Sequence, residues 1–485
     1  MAFRCPAGCR QILRVFRSVR NTHPNSTPSL QMLIDVFICC IRCANQDDPQ
    51  NLCRWHSTIL PGKEITTGVD CAIMAFANSS LFVESPPGEY TPFAPISEIR
   101  GRFANGTKLL IAIGGWGDTA GFSAGSKEDA GRKQYAKNVA DMVNKHGFDG
   151  VDIDWEYPGG NGLDYKETSN SAKKSEIDNF PLFLKEIRNA IGTEKQLSIA
   201  VPGRKSDMIA YTPENGPAIW ESVDFVNVLF SNKPSTLTSF ERMLTVLFKI
   251  MTYDLINRRD NVTAHHTSVK GCLETVQNYL DIKLSPEKIN LGFAFYAKYF
   301  TLDPKANCTS EKPVGCPIVH GEFENGTDAG TSGSVTFEVA EISPPRAPVG
   351  VSPNATCGPL NGFRCEDGFC CSSAGYCGET PQHCNSGCQP NYGKCDGVDT
   401  GGSFRRARTN GMTDKEQGGR YYVDEQAKLF WTWETTDLIA RKFEQIVCAK
   451  KLGGVMAWGL GLDSYDWSHL EAVEKGMEGY KGTAR

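Results

Sequence analysis

Short apolar runs rich in β-branched residues recur along the chain from residue 69 onward. They read VDCAIMAFA, LLIAIGG, GVDIDWE, LSIAVP, FVNV, INLGFAFY and GVMAWGL. Runs of this length, bounded by turn residues, are typical of buried strands. Segments with helical patterns separate most of them, so the chain is predicted to alternate between strands and helices.

The clearest of these helices follows the third run. Apolar residues there recur every three or four positions and share one helix face, which can cover a sheet. They are Ile177, Phe180, Leu184, Ile187 and Ile191. Parallel strands joined by helices form either an open doubly wound sheet or a closed barrel. A Gly-x-Gly-x-x-Gly turn, which is typical of the open sheet, does not follow the first strands. We therefore predict an α/β fold with a closed barrel, the (β/α)8 TIM barrel.

The amino-terminal region fits this pattern less well. Seven barrel strands lie after residue 69, so the remaining strand is expected upstream, in residues 33–41, the apolar run there with suitable composition. Residues 1–32 are interpreted as a targeting or poorly ordered segment. As an export signal the region is atypical, because its apolar stretch starts late and is broken by Asp35.

Residues 229–250 interrupt what would otherwise read FVNVMTYDL, a continuous buried strand. Two explanations stay open. The segment is either an ordinary long loop or a translated non-coding stretch that is foreign to the fold. In both cases it lies next to residues of the candidate site.

Residues 347–402 form a second interruption, with ends rich in Pro, Gly, Ser and Thr that are typical of linkers. We predict a small separate module at residues 352–398, inserted between the seventh and eighth barrel strands. Residues 33–346 and 403–478 then form the barrel. Since this loop leaves the carboxyl end of a barrel strand, the module should lie on the face where barrel enzymes place their active sites.

The third run carries three carboxyl groups on one face of a strand. Asp152, Asp154 and Glu156 are spaced by two, so their side chains point the same way. A solvated face of an antiparallel strand would explain the spacing equally well. The flanking helical patterns instead favour a parallel strand whose acidic face points into the barrel, where unpaired charge is costly. Crowded carboxyls cannot all ionise, so one should keep its proton as a general acid, and Glu156 is nearest the carboxyl end.

The segment DGVDIDWE matches the Asp-x-x-Asp-x-Asp-x-Glu signature of the family 18 glycoside hydrolases, the chitinase family, at Asp149, Asp152, Asp154 and Glu156. The chain resembles this family over about residues 69 to 475, in an arrangement most similar to fungal secreted members. The resemblance implies a retaining, substrate-assisted reaction in which the 2-acetamido group of the sugar is the nucleophile. Glu156 would protonate the leaving oxygen, without a metal or other cofactor.

The same resemblance gives roles to residues on other strands. Asp154 and Tyr253 would orient the acetamide, and Asp152 would tune the charge on Asp154. The implied substrate-binding residues are Asp149, Gly115, Trp116, Met251, Asp254, Tyr296 and Trp458. One position departs from the family pattern Ser-x-Gly-Gly, because Ala112 stands in the place of the serine. We expect this loss of a hydroxyl to alter the hydrogen bonding behind Asp152 without abolishing the chemistry.

The chain has 19 cysteines, and eight of them lie within residues 357–395. This density is typical of disulfide scaffolds outside the cell, so we expect a secreted protein. Seven Asn-x-Ser/Thr sequons agree with that expectation. The module is too small for a self-sufficient core and must be held by disulfides, but spacing alone leaves 105 possible pairings.

The module resembles the hevein-type chitin-binding module, with its adjacent Cys pair before SSAGYCG. The resemblance implies the pairs Cys357 with Cys371, Cys365 with Cys377, Cys370 with Cys384, and Cys388 with Cys395. It implies sugar contacts at Ser372, Tyr376 and His383. Ala374 and His383 stand where such modules often have aromatic residues, so affinity for short oligomers should be weak.

The net charge of −5, from 51 basic and 56 acidic residues, is mild and spread along the chain. It gives no reason to expect nucleic acid or an anionic membrane as a partner. The chain contains no run of 18 or more apolar residues, so no membrane span is predicted. We therefore expect a monomer that acts on chitin or chito-oligosaccharides. Two alternatives stay open: an endo-β-N-acetylglucosaminidase acting on N-glycans, and a chitin-binding lectin with an inactive barrel.

Overall fold

The structure is a computed structural model that describes residues 63, 65–229, 252–337, 347–359, 362–372, 375–385, 388–464 and 466–481. Several sequence predictions lie outside these residues: the segment 1–32, the strand at 33–41, residues 230–250 of the insertion, and the positions Met251 and Ala374.

Seven parallel strands confirm the seven predicted runs. They are β1 Cys71–Ala77, β2 Lys108–Gly114, β3 Gly150–Asp154, β4 Gln196–Pro202, β5 Phe225–Leu229, β6 Asn290–Ala294 and β16 Gly454–Trp458. Strands β1 to β5 pair in sequence order, and β16 pairs with β6. β5 lies beside β6. The strands therefore follow one another as in a (β/α)8 barrel, and the predicted fold class is confirmed.

The helices of the described residues pack mainly around this barrel. They are Ile96–Gly101, Ala120–Ser126, Asp129–His146, Lys174–Ile191, Gly216–Ser222, Val269–Asp281, Pro381–Cys384, Thr400–Asn410, Thr436–Lys442 and Ser468–Lys481. The helix predicted from its apolar periodicity is Lys174–Ile191, in which Phe180, Leu184 and Ile187 are at most 1% exposed. Its apolar stripe covers the sheet as predicted.

An antiparallel sheet lies between β6 and β16 along the chain, and the pattern of apolar runs did not predict it. Its strands are β7 Tyr296–Thr301, β8 Ser332–Thr336, β13 Met412–Thr413, β14 Arg420–Asp424 and β15 Leu429–Trp433. They pair in the order β13-β14-β15-β7-β8. The run INLGFAFY was interpreted as one strand, but it spans the end of β6 and the start of β7. Apolar composition does not reveal such a change of sheet, because both strands are buried.

The cysteine-rich module follows β8 and precedes helix Thr400–Asn410, so it is inserted between barrel strands seven and eight. It contains short strands, β9 Gly350–Val351, β10 Phe363–Arg364, β11 Cys370–Cys371 and β12 Cys377–Gly378. The structure joins the four cysteine pairs that the hevein resemblance implies. A further disulfide links Cys308 to Cys316. The module contacts the rest of the chain where Asn385 Nδ2 donates to the carbonyl of Ala329 at 3.1 Å.

Across the described part of the chain, no helix combines the length and the apolar character needed to cross a lipid bilayer.

Candidate active site

The three carboxyl groups lie at the carboxyl end of β3. Asp152, Asp154 and Glu156 are 5%, 3% and 1% exposed. β3 is parallel to both of its neighbours, β2 and β4. On its other face Trp155 is also buried and stacks on Phe122, with ring centroids 5.4 Å apart. The acidic face is therefore not the solvated face of an antiparallel strand.

Asp152 is held by a hydroxyl from the neighbouring strand β4, at Ser198, which was not predicted as a site residue. It pairs in register with Ala112 on β2 and with Ser198 on β4. The Ser198 Oγ–H donates a short hydrogen bond to Asp152 Oδ1. Strand alternation in LSIAVP indicates the orientation of Ser198, but only the register of β3 and β4 reveals its contact with Asp152.

Two glycines let the backbone of β2 approach Asp154 closely. Gly114 and Gly115 have φ values of +103° and +97°. A Cβ atom on Gly114 would lie 2.3 Å from the carbonyl oxygen of Asp154. The Gly115 N–H donates to that same oxygen at 2.8 Å. These positions therefore require glycine, both for the backbone conformation and for the space.

Tyr253 reaches the site although the strand before it is interrupted. Thr252 Oγ1 donates to the carbonyl of Gly292 on β6 at 2.8 Å, which places this segment against the barrel. Tyr253 is fully buried, and its hydroxyl contacts Met456 Sδ at 3.8 Å. Burial raises the pKa of Tyr253 well above its ordinary value, and the charges of Asp254, Asp154 and Glu156 add to the rise. The hydroxyl therefore stays protonated and can donate a hydrogen bond.

Asp254 is surrounded by polar side chains from two segments. The Tyr296 hydroxyl donates to Asp254 Oδ1 at 2.8 Å, and Lys298 Nζ lies 3.1 Å from the same atom. His266 Nδ1 lies 3.4 Å away. Burial lowers the pKa of His266 to about 4, although Asp254 acts in the opposite direction. Lys298 and His266 were not predicted; the two-residue spacing of Tyr296 and Lys298 along β7 is the signal that could have found Lys298.

Trp458 is the last residue of β16 and is 2% exposed. Its carbonyl accepts a hydrogen bond from the Phe295 N–H at 2.9 Å, which extends the pairing of β16 with β6 beyond the end of β6. The indole thus lies at the carboxyl end of the eighth barrel strand, the same end as the carboxyl groups.

Trp116 belongs to a cluster on the loops that follow β2 and β3. The indole is partly buried and meets Tyr157 edge-on, with ring centroids 6.4 Å apart. The guanidinium of Arg259 lies 5.1 Å from the centre of the Trp116 ring and 3.9 Å from that of Tyr165. It also donates to the carbonyls of Asn161 at 3.0 Å and of the following glycine at 3.1 Å. Arg259 was not predicted, because its partners lie about a hundred residues away.

The structure does not bring Asp149 to this site. Asp149 precedes β3, whereas Glu156 follows it, so the two residues lie at opposite ends of the strand. The Asp149 carboxylate accepts from the Leu109 N–H at 2.8 Å and pairs with Arg100 at 2.8 Å. Its position therefore indicates a role in joining β2 to β3 and not in contacting a substrate.

In the module, the three residues with implied sugar contacts lie near one another in sequence but differ in environment. Ser372 is 7% exposed, and its hydroxyl accepts from the Tyr376 N–H at 3.1 Å. His383 Nδ1 lies 2.7 Å from Thr380 Oγ1, and burial lowers the pKa of His383. The sets of described side chains with metal-ligand spacing are built on module cysteines, and these cysteines are bound in disulfides.

A family model described as glycosyl hydrolases family 18 matches residues 45–463. Among curated relatives, Chitinase A1 of Niallia circulans is 28% identical over 213 residues, which cover 39% of this chain and 26% of the relative. The chain spans between about a quarter and a half of the length of the first relatives that it matches, with 26%, 33% and 46% of each covered.

Solved structures of chitinases share the fold at low sequence identity. A chitinase from Rhizomucor miehei superposes with a TM-score of 0.55 at 17% identity and covers 84% of this chain and 94% of its own. A catalytic domain of the Group II chitinase of Ostrinia furnacalis, in complex with penta-N-acetylchitooctaose, gives a TM-score of 0.55 at 18% identity. That match covers 86% of this chain and 90% of the domain.

Proposed function

Because the chain belongs to the glycosyl hydrolases of family 18, we propose that it is a secreted chitinase that hydrolyses β-1,4-linked N-acetylglucosamine polymers with Glu156 as proton donor. The observation that carries the proposal is the buried group formed by Asp152, Asp154 and Glu156 at one strand end, with Tyr253 within electrostatic range of it. Burying three carboxyl groups together is costly, and clusters of this kind are found mainly at functional sites.

The first step cleaves the glycosidic bond. Protonated Glu156 transfers its proton to the glycosidic oxygen, while the acetamide carbonyl oxygen of the same sugar attacks the anomeric carbon. The bond to the leaving sugar breaks, and a cyclic oxazolinium ion forms. Tyr253, whose hydroxyl stays protonated, donates to the acetamide oxygen and holds it in line for attack.

The positive charge of the oxazolinium ion is stabilised by the carboxylate of Asp154. Asp154 accepts the acetamide N–H, and Asp152 beneath it shares the negative charge of the pair. In the second step the Glu156 carboxylate takes a proton from water, and the water oxygen attacks the anomeric carbon from the side that the leaving group vacated. The bond between that carbon and the acetamide oxygen breaks, which restores the acetamide. The configuration at that carbon is retained.

Other residues bind and orient the sugar. Trp458 offers an apolar surface under the ring. Asp254, fixed by Tyr296 and Lys298, contacts the distorted sugar. Trp116 is partly exposed and offers a stacking face on the adjacent loop. Met251 and Gly115 are also proposed to contact the substrate. The proposed chemistry needs no metal or other cofactor.

The module at residues 352–398 supports chitin as the polymer. It resembles a chitin-binding module, and its attachment between the seventh and eighth barrel strands keeps it near the catalytic end of the barrel. A tethered binding site raises the local concentration of substrate. Its disulfides, together with that between Cys308 and Cys316, support secretion into an oxidising environment. We propose that the protein acts as a monomer, without nucleic acid or membrane partners.

Hydrolysis of a fluorogenic chitobioside by the purified chain tests the proposal. Glu156→Gln should lower kcat by about 10²- to 10⁴-fold, the usual contribution of a general acid. Glu128→Gln, an exposed position without a side-chain capping contact, is the matched control and should behave as the wild type. Equal slow rates for the wild type and Glu156→Gln would contradict the enzymatic proposal and favour the lectin. Faster release of N-glycans than of chitin oligomers would favour the endoglycosidase.

A further inference from the structure

We propose that Ser198 is a positioning residue for Asp152, and that it supplies from β4 the hydroxyl that Ala112 does not supply from β2. This inference rests on the proposed function, because it concerns a carboxyl group of the same site.

The strand register shows why β4 can take this role. Asp152 has Ala112 directly opposite on one side and Ser198 directly opposite on the other. Residues that pair across parallel strands project from the same face, so all three side chains point into the barrel. The position opposite Asp152 on β2 carries a methyl group, whereas the position on β4 carries a hydroxyl.

The contact itself is direct and buried. Ser198 is 0% exposed and Asp152 is 5% exposed. The Ser198 hydroxyl donates to Asp152 Oδ1. An ionised carboxylate can only accept hydrogen bonds, so this donor favours the charged form of Asp152. Between two buried side chains, a hydrogen bond to a charged group is stronger than the same bond at the surface.

The consequence for the reaction follows from the closeness of the two aspartates. Like charges at this spacing are coupled, so holding Asp152 ionised affects how readily Asp154 gains or loses a proton. Ser198 also fixes the orientation of the Asp152 carboxyl group. Through Asp152 it therefore affects the charge and position of Asp154, the group that faces the acetamide.

The test compares Ser198→Ala, Ala112→Ser and the double variant in the full chain, with wild type and Glu156→Gln in the same assay. Ser198→Ala should lower kcat by about 10- to 100-fold, which corresponds to the loss of a hydrogen bond to a charged group, with little change in KM. The acid limb of its pH–activity profile should move to higher pH. Ala112→Ser should be close to the wild type, and the double variant should recover activity because its hydroxyl comes from the opposite strand.

A matched control separates positioning from a general loss of stability. Ser222→Ala removes another buried serine hydroxyl, which donates to a helix carbonyl at 3.2 Å outside the site. Its kcat and pH profile should equal those of the wild type even if its melting temperature falls. If Ser198→Ala behaves like Ser222→Ala, or if the double variant is as slow as Ser198→Ala at the same acid limb, the inference is overturned. A wild type no faster than Glu156→Gln would instead overturn the proposed function, and the inference with it.

Discussion

Two side chains beside the carboxylates, Tyr253 and His266, have protonation states set by burial. Tyr253 is kept protonated, and His266 is kept neutral at neutral pH. Desolvation dominates in both, because the charged form of each side chain loses its hydration inside the barrel. Each state can be tested with a single substitution.

Tyr253→Phe removes the proposed donor to the acetamide and leaves the ring in place. We expect kcat to fall by about 10²-fold or more, since the hydroxyl acts on charge that develops in the transition state. Because the ring stays in place, the variant should still fold, and its melting temperature is measured beside kcat to separate stability from catalysis. Tyr279→Phe is the control: it removes a buried hydroxyl bound to the carbonyl of Pro202 and should reduce stability without this loss of kcat.

The lowered pKa of His266 predicts that the stability of the fold depends on pH. Its pKa is about 4 in the folded protein and about 6.5 when unfolded. The unfolded chain therefore binds the proton first as pH falls, so stability present above pH 6.5 is lost progressively down to pH 4. Asp254 opposes this shift, whereas Lys298 and Lys442 add to it. Urea unfolding at pH 6.5 and 4.5 should show a loss of about 2 kcal/mol in the wild type that is missing in His266→Gln. Equal losses in both proteins would contradict this assignment.

At the residue scale, sequence could predict the groups that share one strand. A two-residue spacing and apolar neighbours mark the three carboxyl residues of β3 and its carboxyl end, Asp152, Asp154 and Glu156. Ser198 and His266 could not be found in this way, because their contacts with the aspartates depend on how distant segments align, whereas Lys298 shares a strand and a two-residue spacing with Tyr296. Asp149 shows the converse: it belongs to the same motif but lies at the opposite end of the strand.

At the scale of elements, the loops that follow β2 and β3 are joined by one arginine. Arg259 contacts Trp116 and Tyr165 through its flat face, and its N–H groups bind two successive carbonyls of the loop after Glu156. A guanidinium provides both the flat face and the paired donors, which an ammonium group does not.

Arg259→Met should therefore loosen the face of Trp116 that we propose stacks on the sugar. We expect KM for a chitin hexamer to rise by about 3- to 10-fold with a smaller change in kcat, and the effect on the short fluorogenic chitobioside should be smaller. Arg259→Lys retains the charge but should not restore KM. A purely structural role would instead lower the melting temperature and affect long and short substrates alike.

Element prediction succeeded for strands that are isolated by helices and failed where strands of two sheets follow each other. All seven barrel runs were found, because β-branched residues cluster between polar helices. The sheet formed by β7, β8 and β13 to β15 was missed. β15 reads LFWTW and is buried throughout, so it lacks the alternation that would mark a strand of an antiparallel sheet.

At the scale of the whole molecule, the barrel and the cysteine module are proposed to bind the same polymer. Tyr376→Ala should leave hydrolysis of soluble oligomers unchanged and should lower the rate on insoluble chitin by about 3- to 10-fold, since only the solid substrate benefits from tethering. Pull-down with chitin beads measures the binding directly. If the variant binds and degrades solid chitin like the wild type, the module does not use this face for sugar.

The domain order was predictable because linker composition and cysteine density mark the module. The sheet into which the module is inserted was not predictable, because no sequence pattern showed that the module follows β8 and so interrupts an antiparallel sheet. The contact between Asn385 and Ala329 likewise depends on loop geometry that composition does not encode.

The short distance along the chain between β6 and β7 limits how this protein can be re-engineered. β6 ends at Ala294, and β7 begins at Tyr296, the residue that donates to Asp254. Lys298, on the same strand, also holds Asp254. The antiparallel sheet therefore cannot be removed without also removing residues that hold Asp254. A chimera that exchanges this sheet with that of a relative should keep the contacts that hold Asp254 only if the crossover lies beyond Lys298.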